Sequence, residues 1–352
     1  MTGKGCGRDD GLEIMMPTVS VIMPMYNSVK YVKQAIDSIL QQSFEDLELI
    51  VINDGSKDGC ADIAGSIKDE RLIFIDRENK GFLTTLNECI EMAKGKYIAR
   101  LDDDDWCYPQ RIKKEVEYLE THPDIVLVGT LCYDQISERL VAEPVTPVLT
   151  SKQLRYSLVF GNYAFAHSSF MMRRETLIDN DVRYETFKQV PDYHMITQLS
   201  RYGDIARVQE PLVVYRIHSA QSTQVRSARM KQDEIDNARA WFIDTLPLNE
   251  EDRNALKKGV LRKLGSFEEL DRFDETLEKY MDICDVDKKR DGKCLVYLYK
   301  NCIFRQFCTF KLLCACLKSR NRGWLFSIMG IKFIIKCIFR RNPSYIETSV
   351  SI

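Results

Sequence analysis

Four consecutive aspartates, Asp102 to Asp105, are the residues of this sequence with the most direct chemical consequence. Like charges a few ångströms apart repel one another unless a cation neutralises them. Mg²⁺ and Mn²⁺ are hard ions that take oxygen ligands, often one or two carboxylates together with substrate phosphates. If the preceding strand continues through the run, Asp102 and Asp104 point to the same side. The run therefore indicates a divalent-cation site, with a solvated acidic turn as the alternative.

Two further polar positions follow apolar runs that read as strands. Asp54 lies in the turn-forming segment 53–56 and could accept a hydrogen bond from a base, while Tyr26 offers a ring for stacking. An aspartate in a turn is also an ordinary turn former, and a tyrosine is often a packing residue. Neither position decides the chemistry alone.

Strands that alternate with helices would hold these residues in fixed positions relative to one another. Apolar β-branched runs predict strands, and apolar residues at helical spacing predict helices between them, the first capped by Asn27 or Ser28. The alternation predicts an α/β fold with a mostly parallel sheet, right-handed crossovers and ligands beyond the carboxyl ends of the strands. Tyr26, Asp54 and the aspartate run would then meet in one crevice. The predicted strands are 19–23, 47–52, 72–75, 97–101 and 125–128, and the predicted helices are 29–40, 61–67 and 82–93.

The 352 residues allow one large domain or two modest ones. Because the alternation stops near residue 225, we expect a disordered leader at 1–16, an α/β domain at 17–225 and a helical region at 226–352. Hydrophobic content of 45% and charged content of 29% argue against a disordered chain and a multi-span membrane protein. Without a signal-peptide core or paired C-x-x-C spacing in the C-terminal region, the twelve cysteines indicate a reducing cytoplasm rather than disulfides or zinc.

The net charge of −2 hides a basic C-terminal region. From Lys288 to Arg341 the only acidic residue is Asp291, and Lys332, Lys336 and Arg340 recur at i, i+4 and i+8 beside apolar residues. These basic residues interrupt the roughly 20 apolar residues that a membrane-spanning helix needs. The pattern favours a basic amphipathic helix on an anionic membrane surface over helices packed on the catalytic domain, with nucleic-acid binding least favoured. We therefore expect a peripheral protein on the inner face of the plasma membrane, without a nucleic-acid partner.

Several of these segments, taken together, resemble a known family. The order and spacing of 24–27, 53–58, 79–81 and 99–106 are similar to the successive motifs of the family 2 glycosyltransferases. The resemblance continues through 165–169, 191–193 and 215–218, so it covers about residues 18–220. It implies the GT-A fold, a nucleotide-sugar donor, an acceptor that is a glycan or is lipid-linked, and inverting transfer in cell-surface polysaccharide or lipopolysaccharide biosynthesis.

The resemblance also implies roles by position. Asp54 would contact the base, with uracil favoured, and Tyr26 would line the base pocket. Asp104 would lie nearest the metal ion, Mn²⁺ or Mg²⁺, and Asp102 would reach the ribose or the metal. Asp192 would be the general base. The remaining residues would bind the nucleotide (Pro24, Asn27, Asn79, Gly81, Arg100 and Asp103), the metal or diphosphate (His218), or support the site and the acceptor (Asp105, Trp106 and His167).

These roles are chemically consistent with one another. Displacing a nucleoside diphosphate builds negative charge on the leaving phosphates, which a bound cation stabilises. The incoming hydroxyl needs a carboxylate to take its proton, and a single in-line displacement inverts the anomeric carbon. Two rival functions remain, a non-catalytic membrane-associated binding protein of the same fold and a nucleotidyltransferase. The second lacks the glycine-rich phosphate loop expected after the first strand, where segment 24–27 stands instead.

Overall fold

The computed structural model describes residues 16–142, 149–161, 165–185, 190–219, 221, 228–261, 263–264, 266–287 and 291. The predicted leader, except for Met16, and the predicted basic region from 288 to 341, except for Asp291, lie outside these residues. Within the described ranges, no helix combines the length and the apolar character needed to cross a membrane.

The first half of the fold is a parallel sheet with helical crossovers, as predicted. Its strands are ordered β3–β2–β1–β4, with Val19 of β1 between Leu47 of β2 and Tyr97 of β4. Each strand is an apolar run that ends at a polar segment. Because the four strands are parallel, these carboxyl ends share one edge of the sheet. The elements are β1 (Val19–Met25), α1 (Val32–Leu40), β2 (Leu47–Asp54), α2 (Cys60–Ser66), β3 (Leu72–Arg77), α3 (Phe82–Met92) and β4 (Tyr97–Arg100).

The second half continues the same sheet with mixed strand directions. A three-residue strand, β8, runs antiparallel between β4 and β6, while β9 lies parallel to β6 and antiparallel to the edge strand β5. The elements are β5 (Trp106–Cys107), α4 (Arg111–Thr121), β6 (Ile125–Ile136), β7 (Arg139–Ala142), α5 (Ser151–Ser157), β8 (Met171–Arg173), α6 (Arg174–Asp179), α7 (Pro191–Leu199) and β9 (Asp204–Ile217), with 3₁₀ turns at Leu158–Phe160 and His167–Ser169.

The start of the first helix differs from the prediction. Neither Asn27 nor Ser28 caps it with a side chain, because α1 begins at Val32 and no side-chain cap bond is made. Instead the carbonyl oxygen of Ser28 accepts the amide hydrogens of Tyr31 and Val32 at 2.8 and 2.9 Å. Asn27 takes a positive φ of 52°, which leaves its side chain free to tie two loops together near the site.

The hydrophobic core occupies both faces of the sheet. Successive residues of a strand point to opposite faces, so Val21 and Met23 pack toward α1 while Ile22 packs toward α3. Three further helices, α8 (Ala228–Thr245), α9 (Glu250–Val260) and α10 (Phe267–Ile283), share the core of the α3 face through residues such as Phe242 and Phe273. The predicted boundary near 225 falls outside the described residues, and the division into domains remains a prediction.

A buried ion pair braces the end of β4. Arg111 and Glu115, both fully buried, lie 3.2 Å apart between Nε and Oε2, and Arg111 Nη2 donates to the carbonyl oxygen of Arg100 at 2.8 Å. Burial raises the pKa of Glu115 to about 7, while the charge of Arg111 acts in the opposite direction.

Replacing Arg111 with methionine is expected to lower the free energy of unfolding by ~3–5 kcal/mol, because a carboxylate then stays buried without its partner. The folded pKa of Glu115 already exceeds its unfolded value, so the protonated form of Glu115 favours the folded state. That stabilisation is present at low pH and is lost as the pH rises through the folded pKa. Urea unfolding should therefore show a larger deficit at pH 8 than at pH 5.5. The double variant Arg111→Met/Glu115→Leu should lack this extra pH dependence, and an equal deficit at both pH values would contradict the argument.

Candidate active site

The aspartate run forms a turn rather than a continuation of β4. The strand ends at Arg100, and the amide of Asp105 donates to the carbonyl oxygen of Asp102 at 3.2 Å. The strand therefore does not continue through the run, and strand alternation does not position Asp102 and Asp104. The turn nevertheless brings carboxylate oxygens of Asp102, Asp104 and Asp105 within 4.8 Å of one another, and Asp103 points away to accept the amide hydrogen of Tyr26 at 2.8 Å.

Residues distant in sequence hold the three carboxylates in place. The hydroxyl of Ser168 lies 2.8 Å from Asp102 Oδ2 and 2.5 Å from Asp105 Oδ2, and it can donate to only one of them at a time. The amide of Arg216 donates to Asp105 Oδ1 at 2.9 Å, and Arg100 forms a close ion pair with Asp102. These contacts join the ends of β4 and β9 to the 3₁₀ turn at His167–Ser169.

The electrostatics of the turn suit a cation. Burial, followed by the charge of Asp104, raises the pKa of Asp103 to about 8, and burial with neighbouring carboxylates also raises the pKa values of Asp104 and Asp105. A divalent cation would relieve this repulsion, and three carboxylates offer the hard oxygen ligands that Mg²⁺ and Mn²⁺ prefer. The residues present therefore fit such an ion, and the group that could hold it includes Asp105 as well as the predicted Asp102 and Asp104.

His218 lies beside this group rather than within it. Its Nε2 is 3.0 Å from Asp104 Oδ2, and its ring centroid is 4.8 Å from that of Tyr31. The guanidinium of Arg216 lies 5.1 Å from the same tyrosine ring and donates to the carbonyl oxygen of Asp104 and to Gln34. His218 is thus placed to orient the Asp104 carboxylate.

Asp54 orders the loop that follows β3. Its Oδ1 accepts the amide hydrogen of Lys80 at 2.7 Å and its Oδ2 that of Gly81 at 3.0 Å, while Arg77 forms a close ion pair with Oδ1. Burial alone would raise the pKa of Asp54, but these hydrogen bonds and the charge of Arg77 bring it below its usual value. The side-chain amide of Asn79 donates to the Asp54 carbonyl oxygen at 2.7 Å. Asp54 is therefore ionised, and it forms one fixed unit with Asn79 and Gly81.

The loops after β1 and β2 are tied together next to this unit. The amide of Asn27 donates to Ser56 Oγ at 2.9 Å, and Asn27 Oδ1 accepts the amide hydrogen of Lys57 at 2.9 Å. Pro24 is buried within β1, whereas the side chain of Tyr26 is 54% exposed above these loops. Because β1 separates β2 from β4, Asp54 lies about 10 Å from the aspartate turn, two strand spacings away.

Asp192 lies in the first turn of α7, directly after Pro191. Its Oδ1 accepts the amide hydrogen of Tyr193 at 2.8 Å. Burial raises the pKa of Asp192, the positive charge of Arg100 lowers it, and the charge of Asp102 raises it. These charges place the start of α7 within electrostatic reach of the carboxyl end of β4.

Arg100 acts electrostatically on two carboxylates, Asp102 and Asp192, and on the predicted acceptor-side residue His167. It is 1% exposed, and its charge acts on His167 and on Tyr184, whose hydroxyl lies 2.7 Å from His167 Nε2. Burial lowers the pKa of His167 well below its usual value, so this imidazole is neutral at pH 7. Trp106, the other predicted support, follows the turn and donates from Nε1 to Gln135 Oε1 at 3.0 Å.

Several residues that organise the site had no predicted role. Ser168 and Arg216 stood within recognised motifs without a function attached to them, and Arg77 and Tyr184 carried no motif signal. Each acts through a contact between residues far apart in the chain, such as the one between Ser168 and Asp102.

Comparison of the sequence with known proteins identifies the family of this chain. The family model described as glycosyl transferase family 2 matches residues 20–180. An uncharacterized glycosyltransferase of Rickettsia prowazekii is 32% identical over 241 residues, which are 67% of this chain and 75% of the relative. An uncharacterized glycosyltransferase of Haemophilus influenzae is 30% identical over 231 residues, which are 59% of this chain and 68% of the relative.

Solved structures share the fold at low sequence identity. S. aureus TarS 1–349 in complex with UDP-GlcNAc has a TM-score of 0.57 at 18% identity, covering 82% of this chain and 86% of that chain. The mannosyltransferase PcManGT from Pyrobaculum calidifontis, in complex with GDP-Man and Mn²⁺, has a TM-score of 0.50 at 16% identity, covering 92% and 87% of the two chains. The mixed sheet and its flanking helices thus have the GT-A fold that the motifs implied. Together with the sequence relatives, this establishes that the chain belongs to the family 2 glycosyltransferases.

Proposed function

We propose that this glycosyltransferase moves a sugar from a nucleoside diphosphate donor, with uridine favoured, to an acceptor hydroxyl by metal-assisted inverting displacement. The observation that carries the proposal is the group of three carboxylates, Asp102, Asp104 and Asp105, within 4.8 Å of one another at the carboxyl end of β4. A divalent cation held there would supply positive charge to the departing diphosphate.

Residues on the two sides of the turn would then have separate tasks. Asp54 holds Lys80 and Gly81 and would present the base pocket, with the exposed ring of Tyr26 beside it. Asp192 would take the proton of the acceptor hydroxyl, and that oxygen would attack the anomeric carbon opposite the departing diphosphate. The carbon–oxygen bond to the diphosphate breaks as the new glycosidic bond forms, so the configuration inverts without an enzyme-bound sugar.

A panel of nucleotide sugars with Mn²⁺ or Mg²⁺ tests the reaction. Release of nucleoside diphosphate, with transfer to membrane extracts, is the expected result for at least one donor. Release of pyrophosphate from a nucleoside triphosphate and a sugar phosphate would instead identify a nucleotidyltransferase. No turnover with any donor would favour the non-catalytic binding protein.

Replacing Ser168 with alanine is expected to weaken Mn²⁺ binding about 10–100-fold, because Asp102 and Asp105 lose the hydroxyl that lies between them. Electron paramagnetic resonance of Mn²⁺ in the presence of UDP measures this directly. Ser169→Ala is the matched control, since that buried hydroxyl donates to the carbonyl oxygen of Ala166 and reaches neither carboxylate. Equal Mn²⁺ affinity in both variants would show that Ser168 does not position the ligands.

We further propose that the enzyme works at the inner face of the plasma membrane in cell-surface polysaccharide or lipopolysaccharide synthesis. The support is the basic sequence from Lys288 to Arg341, in which Asp291 is the only acidic residue. A polybasic segment near an anionic surface gains about 1 kcal/mol per lysine or arginine.

The full chain with Lys332→Glu, Lys336→Glu and Arg340→Glu is expected to lose most of its co-sedimentation with phosphatidylglycerol vesicles, because three attractive charges become repulsive. Neutral phosphatidylcholine vesicles should sediment little of either protein. Substituting Lys257, Lys258 and Lys263 in the same way provides the control, since they lie in or next to α9 outside the basic region. Unchanged sedimentation of the first variant would refute this attachment.

A further inference from the structure

Three aromatic side chains form a continuous array beside the aspartate turn. The ring centroids of Trp106 and Tyr108 are 5.2 Å apart, and those of Tyr108 and Tyr133 are 6.0 Å apart. All three residues are partly exposed, whereas Val214, which lies between Trp106 and Tyr133 in the sheet, is fully buried. We name Trp106, Tyr108 and Tyr133 the aromatic platform.

Strand register places the platform on one face of the sheet. Trp106 of β5 and Tyr133 of β6 both pair with Val214 of β9, one from each side. Residues paired laterally across a sheet project from the same face. The amide of Tyr108 donates to the carbonyl oxygen of Leu212, two residues along β9, so Tyr108 extends the same row. The rings therefore share one surface.

Polar groups border the rings and fix one of them. The indole nitrogen of Trp106 donates to Gln135 Oε1 at 3.0 Å, and Gln135 Nε2 donates to the carbonyl oxygen of Ser137 at 3.1 Å. Tyr108 and Tyr133 add phenol hydroxyls, which can both donate and accept. The platform thus combines an aromatic ring held in place by a hydrogen bond with polar groups around it. Such a surface binds a ligand that has one apolar face and polar edges.

The position of the platform in the sheet indicates which substrate it would meet. The strand order is β3–β2–β1–β4–β8–β6–β9–β5, so Asp54 on β2 and the platform on β5 and β6 lie on opposite sides of β4. The aspartate turn follows β4, between them. Trp106 comes directly after Asp105, so its Cα lies only about 3.8 Å from that of a residue in the carboxylate group.

We propose that the aromatic platform is a subsite for a sugar ring of a saccharide acceptor, beyond the sugar unit whose hydroxyl is glycosylated. The inference rests on the proposed function, which places the nucleotide on the Asp54 side and leaves the opposite side to the acceptor. A pyranose ring has a face of C–H groups that packs on aromatic rings and a rim of hydroxyls that Gln135 and the two phenols can bind. A lipid chain would use the rings but not the polar rim.

Saturation-transfer NMR on the full chain tests the subsite with defined probes. The probes are cellotriose, maltotriose, chitotriose and α-1,6-mannotriose, together with octyl β-glucoside. At least one trisaccharide is expected to receive saturation on its ring protons, and Tyr133→Leu and Trp106→Phe should each raise its dissociation constant about tenfold. Tyr202→Leu is the control, because that residue is solvent-exposed, at 42%, and lies outside the platform.

Three results would overturn the proposal: no trisaccharide bound by the wild-type chain, equal affinity in the platform variants and the control, or saturation only on the octyl chain of the glucoside. Failure of the proposed function looks different. In that case no nucleotide sugar releases a nucleoside diphosphate, whereas saccharide binding is measured without any donor. If the donor reaction proceeds, Tyr133→Leu should raise the acceptor KM about tenfold and change the donor KM less than about twofold.

Discussion

Replacing Asp192 with asparagine is expected to slow sugar transfer by about 10²–10⁴-fold while donor binding stays nearly unchanged. Asparagine has the same shape, and its side-chain oxygen can still accept the amide hydrogen of Tyr193, so α7 should begin as before. It cannot take a proton at neutral pH, and the acceptor hydroxyl then remains a weak nucleophile. Initial rates of nucleoside diphosphate release and calorimetric donor affinity separate the two effects.

The pH profile supplies an independent readout of the same residue. Burial raises the pKa of Asp192 above the ordinary aspartate value, and the guanidinium of Arg100 limits that rise. A base works only when ionised, so kcat/KM should fall as the pH drops through this raised pKa. Asp62→Asn is the matched control, an exposed aspartate in the first turn of α2. Transfer by Asp192→Asn at the wild-type rate would refute the assignment of the base.

The parallel half of the fold could be predicted because its signals are local. β1, β2 and β4 are buried apolar runs, and each ends at a polar segment that the sequence displays directly. Their shared direction follows from the helices between them. These local signals were enough to predict that Asp54 and the aspartate run lie at the same edge of the sheet.

The start of β6 was predicted as strand 125–128, but the rest of the mixed half could not be predicted, because its pairing is non-local. β8 has only three residues, and β9 is interrupted by Pro211, where its register with β6 shifts. Neither strand has a clean alternation of apolar and polar residues. Their places in the sheet depend on packing against β4 and β6, which a local pattern does not record.

The site shows the same division between local and distant information. The aspartates were visible in the sequence, but the turn after Arg100 that adds Asp105 to the group was not. The hydroxyl of Ser168 reaches Asp105 across 63 positions of chain, and the amide of Arg216 reaches it across 111. Only the folded sheet brings such partners within hydrogen-bonding distance.

We expect Mn²⁺ to increase the affinity of the wild-type enzyme for the donor nucleotide, and replacing Asp104 with alanine is expected to abolish that increase. The variant removes one of three carboxylates in the group and also the partner of His218. Losing a ligand costs more than the 10–100-fold typical of residues that only orient ligands. Titrating UDP into each protein by calorimetry, with Mn²⁺ and with EDTA, measures this dependence.

Asp103→Asn is the control for this prediction, because it replaces a carboxyl group of the same turn and leaves all three carboxylates of the group in place. Asp103 accepts the amide hydrogen of Tyr26 and lies outside the three-carboxylate group, so this variant should keep the dependence on Mn²⁺. If the two variants lost it equally, cation binding would depend on the turn as a whole rather than on the placement of Asp104. If Asp104→Ala kept the wild-type dependence, the carboxylates at the end of β4 would not hold the ion, because Asp104 contributes one of the three oxygens that define the group.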